Sequence, residues 1–119
     1  MPPRATLLSA PLGSGAVRPT AKPVKIILVG APWAAFNDKL KKICQEVASE
    51  KGLEFEEKNE DYLFLMKYGE KDELGGADIP QVFIQLDDGT VKHILTRVPV
   101  AGAQPDFEEA RRRILEAIG

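Results

Sequence analysis

The sequence predicts an α/β fold in which a central mixed sheet of about four strands is flanked by about three helices. An apolar, largely β-branched run at 24–29 is typical of a strand buried on both faces. A helical pattern with one apolar face follows this run after a short turn. Two later β-rich runs are joined by Asp87-Asp88-Gly89, and Asp-Gly in that position is a strong hairpin signal. A crossover helix and a tight hairpin in one sheet require both parallel and antiparallel pairing.

The composition indicates one globular domain with an acidic surface. The chain has 119 residues, 44% of them hydrophobic and 29% charged, and this length suffices for one core but not for two. Positions 1–36 hold four basic residues and no acid, whereas the remainder holds 12 basic and 18 acidic residues. An acidic domain without a basic stripe argues against nucleic acid as a partner. No apolar run approaches the about 20 residues that span a bilayer, so a soluble protein without a membrane partner is expected.

Residues 1–22 are predicted to be a flexible tail, and residues 23–119 to form the folded domain. The first 23 positions contain five of the nine prolines and show no apolar period. Two arginines and the absence of acids also resemble an organelle import segment, although prolines interrupt the amphipathic helix that such segments form. The single cysteine suits a reducing compartment. We therefore expect a cytoplasmic location, with organelle import through residues 1–22 as the alternative.

The first strand and helix are predicted from their apolar spacing. Val24–Val29 forms the strand, and Gly30 ends it. A helix is expected over 34–51, with Gly52 as its left-handed stop. Its buried face follows from apolar residues at intervals of three and four, which are Phe36, Leu40, Ile43, Cys44 and Val47.

The middle of the chain is predicted to form a strand, a short helix and a loop. Residues 53–58 alternate between apolar and charged, as in a half-exposed strand. Asn59 is expected to cap a helix that ends at Gly69. That helix is predicted to bury Tyr62, Leu65 and Met66, with Phe64 as a further candidate. The acidic, glycine-containing segment 70–78 is expected to be a loop.

The last third is predicted to form the hairpin and a final helix. Strands are expected at 79–86 and 90–98, with a loop at 99–105. Asp106 and Glu109 form an Asp-x-x-Glu variant of the capping box. A helix from there to Ile118 is predicted to bury Phe107, Ala110, Ile114, Leu115 and Ile118.

Together, the element order, the Ala-Pro-Trp turn before the first helix, the Ile79-Pro80 pair and the Asp-Asp-Gly hairpin resemble the thioredoxin-like family over residues 23–119. In that family, two cysteines follow the tryptophan at the helix start, where the first attacks as a thiolate. The resemblance places Ala34 at the attacking position and Asn37 at the resolving one. It also places Leu28 where thioredoxins often carry a buried acid. Neither Ala34 nor Asn37 can form a mixed disulfide, so a redox-inactive domain is expected.

The remaining chemically capable side chains are predicted to be structural. Cys44 shares the apolar face of the first helix, which favours a packed core thiol over a reactive one. His93 lies within a strand without a nearby nucleophile, which favours a structural role over that of a catalytic base. No spacing typical of a metal site is present, so no metal and no cofactor is expected.

The resemblance implies a binding groove. In the family this proline is cis, and the backbone of the residue before it pairs with an extended segment of another protein. Carried over, a shallow apolar groove is implied around Trp33, Ala34, Ile79, Pro80 and Gly102. The alternative is that the proline only shapes the turn and protects the sheet edge.

Three functional hypotheses follow. The first is a redox-inactive thioredoxin-like domain that acts as a protein-binding or adaptor module through the groove around Trp33 and Pro80. Its partner is another protein or peptide in an extended conformation. The second is a thiol–disulfide oxidoreductase whose active-site cysteines have been replaced in this sequence. The third is a structural subunit of a larger assembly.

The chain is expected to be inactive as a disulfide reductase, because no pair of thiols can cycle between the oxidised and reduced forms. An insulin-reduction assay, with an ordinary thioredoxin as the positive control, measures this directly. Turnover that the Cys44→Ser substitution abolishes would contradict the expectation and identify Cys44 as the reactive group.

Overall fold

A computed structural model describes residues 21–71 and 76–119. The helices and main strands, in chain order, are β1 (Pro23–Gly30), α1 (Asn37–Lys51), β2 (Glu54–Asn59), α2 (Tyr62–Tyr68), β3 (Gln81–Leu86), β4 (Val91–Thr96) and α3 (Phe107–Ile118). Two very short strands precede α3, namely β5 (Val100–Ala101) and β6 (Gln104–Pro105). The tail predicted for residues 1–22 lies, apart from its last two residues, outside the described residues. The same holds for positions 72–75 of the predicted loop.

The four main strands form one mixed sheet in the order β2-β1-β3-β4. β1 pairs in parallel with β2, and β3 is antiparallel to both β1 and β4. The predicted α/β class, with a four-stranded mixed sheet and three helices, is therefore confirmed. In the described ranges, no helix is long and apolar enough to cross a membrane.

β1 is buried on both faces. Ile26 and Leu28 belong to the larger core, which α1 and α3 cover, whereas Ile27 and Val29 face the smaller core under α2. All four side chains are at most 2% exposed. The alternation of successive strand residues between two covered faces explains why this run carries no polar residue between Ile26 and Val29.

The predicted core face of α1 is confirmed except at its start. Leu40, Ile43, Cys44 and Val47 are buried, and Gly52 caps the helix in a left-handed conformation. The helix begins at Asn37 rather than at Ala34, because Phe36 has φ 61° and cannot continue a right-handed helix. The Phe36 side chain, which was predicted to be buried, is 48% exposed for the same reason.

α2 differs from the prediction in its cap and in its buried face. Asp61, not Asn59, is the N-cap, and its side chain accepts a hydrogen bond from the N–H of Phe64. Asn59 is instead the last residue of β2. Leu65 is fully buried as predicted, but Tyr62 and Met66 are exposed. A helix of two turns offers only a narrow face to the sheet, and this face consists of Leu65 with Phe64 and Tyr68 packed beside it.

The segment after β4 is more structured than predicted. β4 ends at Thr96, because Arg97 adopts φ 59° and donates its N–H to the carbonyl of Pro80. The expected loop at 99–105 contains the β5–β6 hairpin.

Asp106 caps α3 as predicted and accepts a hydrogen bond from the N–H of Glu109. Ala110 and Ile114 are fully buried there, whereas three further predicted core residues are partly buried against the same core, namely Phe107, Leu115 and Ile118.

A buried amide holds the entry to β3. The side chain of Gln81 is fully buried, and its Nε2 donates to the carbonyls of Glu70 (3.0 Å) and Asp78 (2.8 Å). Its Oε1 accepts from the N–H of Glu70 at 2.9 Å. The amide therefore holds both ends of the 70–78 segment, and it leaves none of its own polar groups without a partner among the described residues.

Replacing this amide by a hydrocarbon of similar size is expected to destabilise the fold. Gln81→Leu removes three hydrogen bonds to main-chain groups and is expected to lower the free energy of unfolding by about 1–3 kcal/mol. Urea denaturation measures the change. Gln85→Leu on the same strand is the matched control and is expected to stay within about 0.5 kcal/mol. Equal effects of the two substitutions would show that the Gln81 hydrogen bonds contribute nothing specific.

Candidate functional site

The turn between β1 and α1 is held by hydrogen bonds within it. The N–H of Ala34 donates to the carbonyl of Ala31, and the N–H of Asn37 donates to the carbonyl of Ala34. Ala34 is 8% exposed, so its methyl group faces the protein. Ala34 and Asn37, the two positions that the thioredoxin resemblance assigns to cysteines, are therefore joined by a main-chain hydrogen bond in this turn.

Asn37 is a buried structural residue. Its side chain is 4% exposed, and its Oδ1 accepts a hydrogen bond from the N–H of Ala31 at 3.3 Å. The amide lies directly against Gly30, where a Cβ atom would come within 1.9 Å of Asn37 Oδ1. Glycine is thus required at position 30 because the amide occupies the space that any side chain would need.

Phe36 has a strained backbone at the end of the same turn. A positive φ is rare for a bulky residue without glycine's freedom, and no side chain caps α1 at this point. The Phe36 ring contacts the ring of Phe107 edge to face, with centroids 5.6 Å apart. Residues held in unfavourable conformations by their surroundings cluster at binding and catalytic sites, which marks this position as a candidate.

The segments before β3 and after β4 lie opposite this turn. The Ile79–Pro80 peptide bond is cis, and Pro80 is buried. The N–H of Arg97 donates to the Pro80 carbonyl at 2.7 Å, which ties the two segments together. Arg97, like Phe36, is a left-handed residue that is not glycine.

The β1–α1 turn, the segment before β3 and the segment after β4 form the walls of a cleft of about 410 Å³ that is open to solvent. We call it the Phe36–Ile79 cleft. Its lining is largely apolar and consists of Ala35, Phe36, Ile79, Pro80, Thr96, Arg97, Val98, Pro99 and Val100. Val100 is 69% exposed, so the cleft presents apolar surface to solvent.

The structure brings only some of the predicted site residues into this cleft. Ile79 and Pro80 line it, whereas Ala34 is buried beneath the turn. Trp33 is 65% exposed on the same turn but is not among the lining residues. Gly102 lies in the tight turn between β5 and β6, also outside the lining.

Sequence reasoning missed Phe36 and most of the wall formed by residues 96–100. Phe36 was assigned to the buried face of α1 because it fits the helical spacing. The segment 96–100 was divided between a strand and a loop. The apolar Val98-Pro99-Val100 run directly after a strand was the only available signal for that wall.

The main chain of Ile79 has no hydrogen-bond partner among the described residues. Ile79 lies just before β3, and no described residue forms a hydrogen bond with its N–H or its carbonyl. Its side chain is half-buried against the smaller core. Main-chain polar groups without a described partner, beside a largely apolar cleft, are what the addition of an extended segment requires.

Neither Cys44 nor His93 lines the Phe36–Ile79 cleft. Cys44 lies in the larger core as predicted, and burial raises the pKa of its thiol to about 12. His93 is exposed, and its Nε2 is 2.8 Å from Thr96 Oγ1 while its ring contacts Phe83. Over residues 21–71 and 76–119, no three ligating side chains converge on a metal position.

The carboxylates with shifted pKa values form ion pairs on the surface. Hydrogen bonds from Lys25 and then Lys58 lower the pKa of Glu56 at the β2 edge. Hydrogen bonds from Arg112 and Arg113 lower the pKa of Glu109 to about 2. Neither group lines the Phe36–Ile79 cleft, so these shifts reflect salt bridges between neighbouring side chains and not an acid–base pair at the site.

No family model, curated protein sequence or solved structure gives a significant match to this chain. The site therefore has to be interpreted from its own geometry.

Asn37 and Gly30 are expected to be energetically coupled. Asn37→Ala leaves the buried N–H of Ala31 without its acceptor and is expected to cost about 1–3 kcal/mol of stability. Gly30→Ala is destabilising because its Cβ overlaps Asn37 Oδ1. In the double variant this overlap is absent, so its cost is expected to be about 1 kcal/mol or more below the sum of the single costs.

Urea denaturation of the four proteins in this cycle measures the coupling. Gln45→Ala on the exposed face of α1 is the control and is expected to change stability by no more than about 0.5 kcal/mol. Strictly additive costs would contradict the contact between Asn37 and Gly30.

Proposed function

We propose that this chain is a redox-inactive thioredoxin-like domain that binds an extended segment of another protein in the Phe36–Ile79 cleft. The observation that carries the proposal is the main chain of Ile79, which no described residue pairs with and which lies beside that largely apolar cleft. The element order and the strand order β2-β1-β3-β4 are compatible with the thioredoxin-like assignment.

The proposed binding mode combines main-chain pairing with apolar contact. A partner strand pairs with the N–H and carbonyl of Ile79, which supplies affinity without regard to sequence. Alternate side chains of an extended strand point to opposite sides, so one set reaches Phe36 and Val100 while the other faces solvent. Both side chains are exposed in the free protein, and covering them removes apolar surface from water.

Trp33 extends this surface in the proposal. It is on the same turn as Ala35 and Phe36, and its side chain is largely exposed. Aromatic side chains are frequent anchors in protein interfaces because they bury a large area with few rotatable bonds.

The oxidoreductase hypothesis has less support at this site. Asn37 fills its position with a buried, hydrogen-bonded amide that fits against Gly30, whereas a thiol would not accept the Ala31 N–H equally well. Cys44 is buried in the core and offers no replacement nucleophile.

The third hypothesis is a structural subunit with a permanently filled cleft. It differs from the proposed binding module because it requires a stable complex instead of reversible binding.

Selection from a displayed library of random peptides tests the proposal. Peptides enriched on the wild-type chain are synthesised and titrated into the isotope-labelled protein, and amide shifts are followed by NMR. Shifts are expected at Ala35, Phe36, Ile79 and Val98. Enriched peptides that shift only residues of α2, none of which lines the cleft, would move the site away from it.

Trp33→Ala is expected to weaken peptide binding without affecting folding. An aromatic anchor contributes about 2 kcal/mol or more to a small interface, which corresponds to roughly thirtyfold in affinity. The exposed Trp33 side chain makes little contact with the core, so the melting temperature should stay unchanged. Leu63→Ala removes an apolar side chain on α2 that is even more exposed, at 85%, and is the control. Equal affinity of the two variants for a selected peptide would exclude Trp33 from the binding surface.

A further inference from the structure

A second hollow adjoins the Phe36–Ile79 cleft. It lies between α1 and α3, encloses about 320 Å³ and is lined by Lys39, Lys42, Ile43, Glu46 and Phe107. The edge-to-face contact between Phe36 and Phe107 joins the two, because Phe36 lines the cleft and Phe107 lines the hollow. A chain lying in the cleft can therefore continue over this aromatic pair.

The hollow carries positive charge that its own surroundings do not neutralise. Neither Lys39 nor Lys42 forms an ion pair with a described residue, and the Lys39 Nζ lies 5.2 Å from the centroid of the Phe107 ring. Glu46, the one carboxylate in the lining, is already paired with Arg111. Both lysines are exposed on the first turns of α1, where a partner can reach them.

The opposite wall of the cleft also carries a cation. Arg97 is the one charged residue among the described residues that line the cleft, and its side chain is 69% exposed. Its only ion pair with a described residue is a loose one to Asp78, at 3.9 Å. The hydrogen bond from its N–H to Pro80 fixes the backbone from which the guanidinium extends.

We infer that the segment bound in this cleft is acidic, with Asp or Glu on both sides of an apolar centre. The apolar residues reach Phe36 and Val100, while carboxylates on one side meet Arg97 and those on the other meet Lys39 and Lys42. This arrangement pairs the carboxylates of the partner with cations of this protein, although the net charge of the whole chain is −2. Such complementarity selects partners and speeds association. The inference rests on the proposed function, because it names the chemistry of that partner.

Three matched peptides test the inference on the full chain. Each has about nine residues, a Leu-Val-Leu centre and either Glu, Gln or Lys at all other positions. The Glu peptide is expected to bind about tenfold more tightly than the Gln peptide, and the Lys peptide is expected to bind most weakly. Raising the salt concentration from about 50 mM to about 500 mM should remove most of this difference, since exposed charges are then screened.

Charge variants locate the effect. The double variant Lys39→Gln with Lys42→Gln, and separately Arg97→Gln, should each reduce the advantage of the Glu peptide by about threefold or more. Lys51→Gln, the control for Arg97→Gln, also removes one positive charge, at the far end of α1 about 18 Å along the helix from Lys39, and should have no effect. Equal losses with the Lys51 variant would reduce the effect to net charge and overturn the inference.

The remaining outcomes separate this inference from the proposed function. If all three peptides bind equally and shift the Phe36 and Ile79 amides, the acidic preference is wrong while the binding site stands. If none of them, and no library-selected peptide, shifts these amides, the proposed function is wrong as well. A competition experiment tests nucleic acid as the partner, with labelled Glu peptide displaced either by a ten-residue oligothymidylate or by unlabelled Glu peptide. Displacement by the oligothymidylate at the lower concentration would overturn the inference and assign the cationic surface to nucleic acid.

Discussion

The fold depends on the burial of β1 on both faces. Ile26 and Leu28 require one apolar layer, and Ile27 and Val29 require another. α1 and α3 form the first layer and α2 contributes to the second, while β2 and β3 satisfy the strand's main-chain hydrogen bonds on either side. Because a buried polar backbone must be paired, the central strand determines the position of every neighbouring element.

Two buried side-chain amides connect the sheet to the segments that form the candidate site. Asn37 holds the start of α1 against Gly30 and Ala31 at the end of β1, and Gln81 holds the segment before β3. Gln81 pairs with Val29 on the neighbouring strand, and Asn37 lies against Gly30, so both amides lie at the same end of the two inner strands. Each amide makes directional hydrogen bonds in a region of low dielectric constant, where such bonds are strong. The two walls of the Phe36–Ile79 cleft are therefore positioned by polar side chains that never reach its surface.

The role proposed for the cleft is recognition of another protein. Its described lining combines apolar side chains, the main chain of Ile79 and the guanidinium of Arg97, with two further cations beyond the Phe36–Phe107 pair. These are the components of strand addition and of electrostatic selection. The thiol of Cys44, in contrast, contributes to the core as a small apolar group, and burial disfavours its ionised form.

The sequence by itself determined the elements whose signals are local. The buried β1, the Gly52 stop, the Asp-Asp-Gly hairpin and the Asp106 cap all depend on a few neighbouring residues, and all were predicted correctly. The start of α1, the buried face of α2 and the lining of the cleft were decided by tertiary structure. Phe36 satisfies the helical period, yet the contact between Asn37 and Gly30 and the ring of Phe107 hold it outside the helix. Hydrophobic spacing describes a face only after the first residue of a helix is fixed, and here long-range contacts fix it.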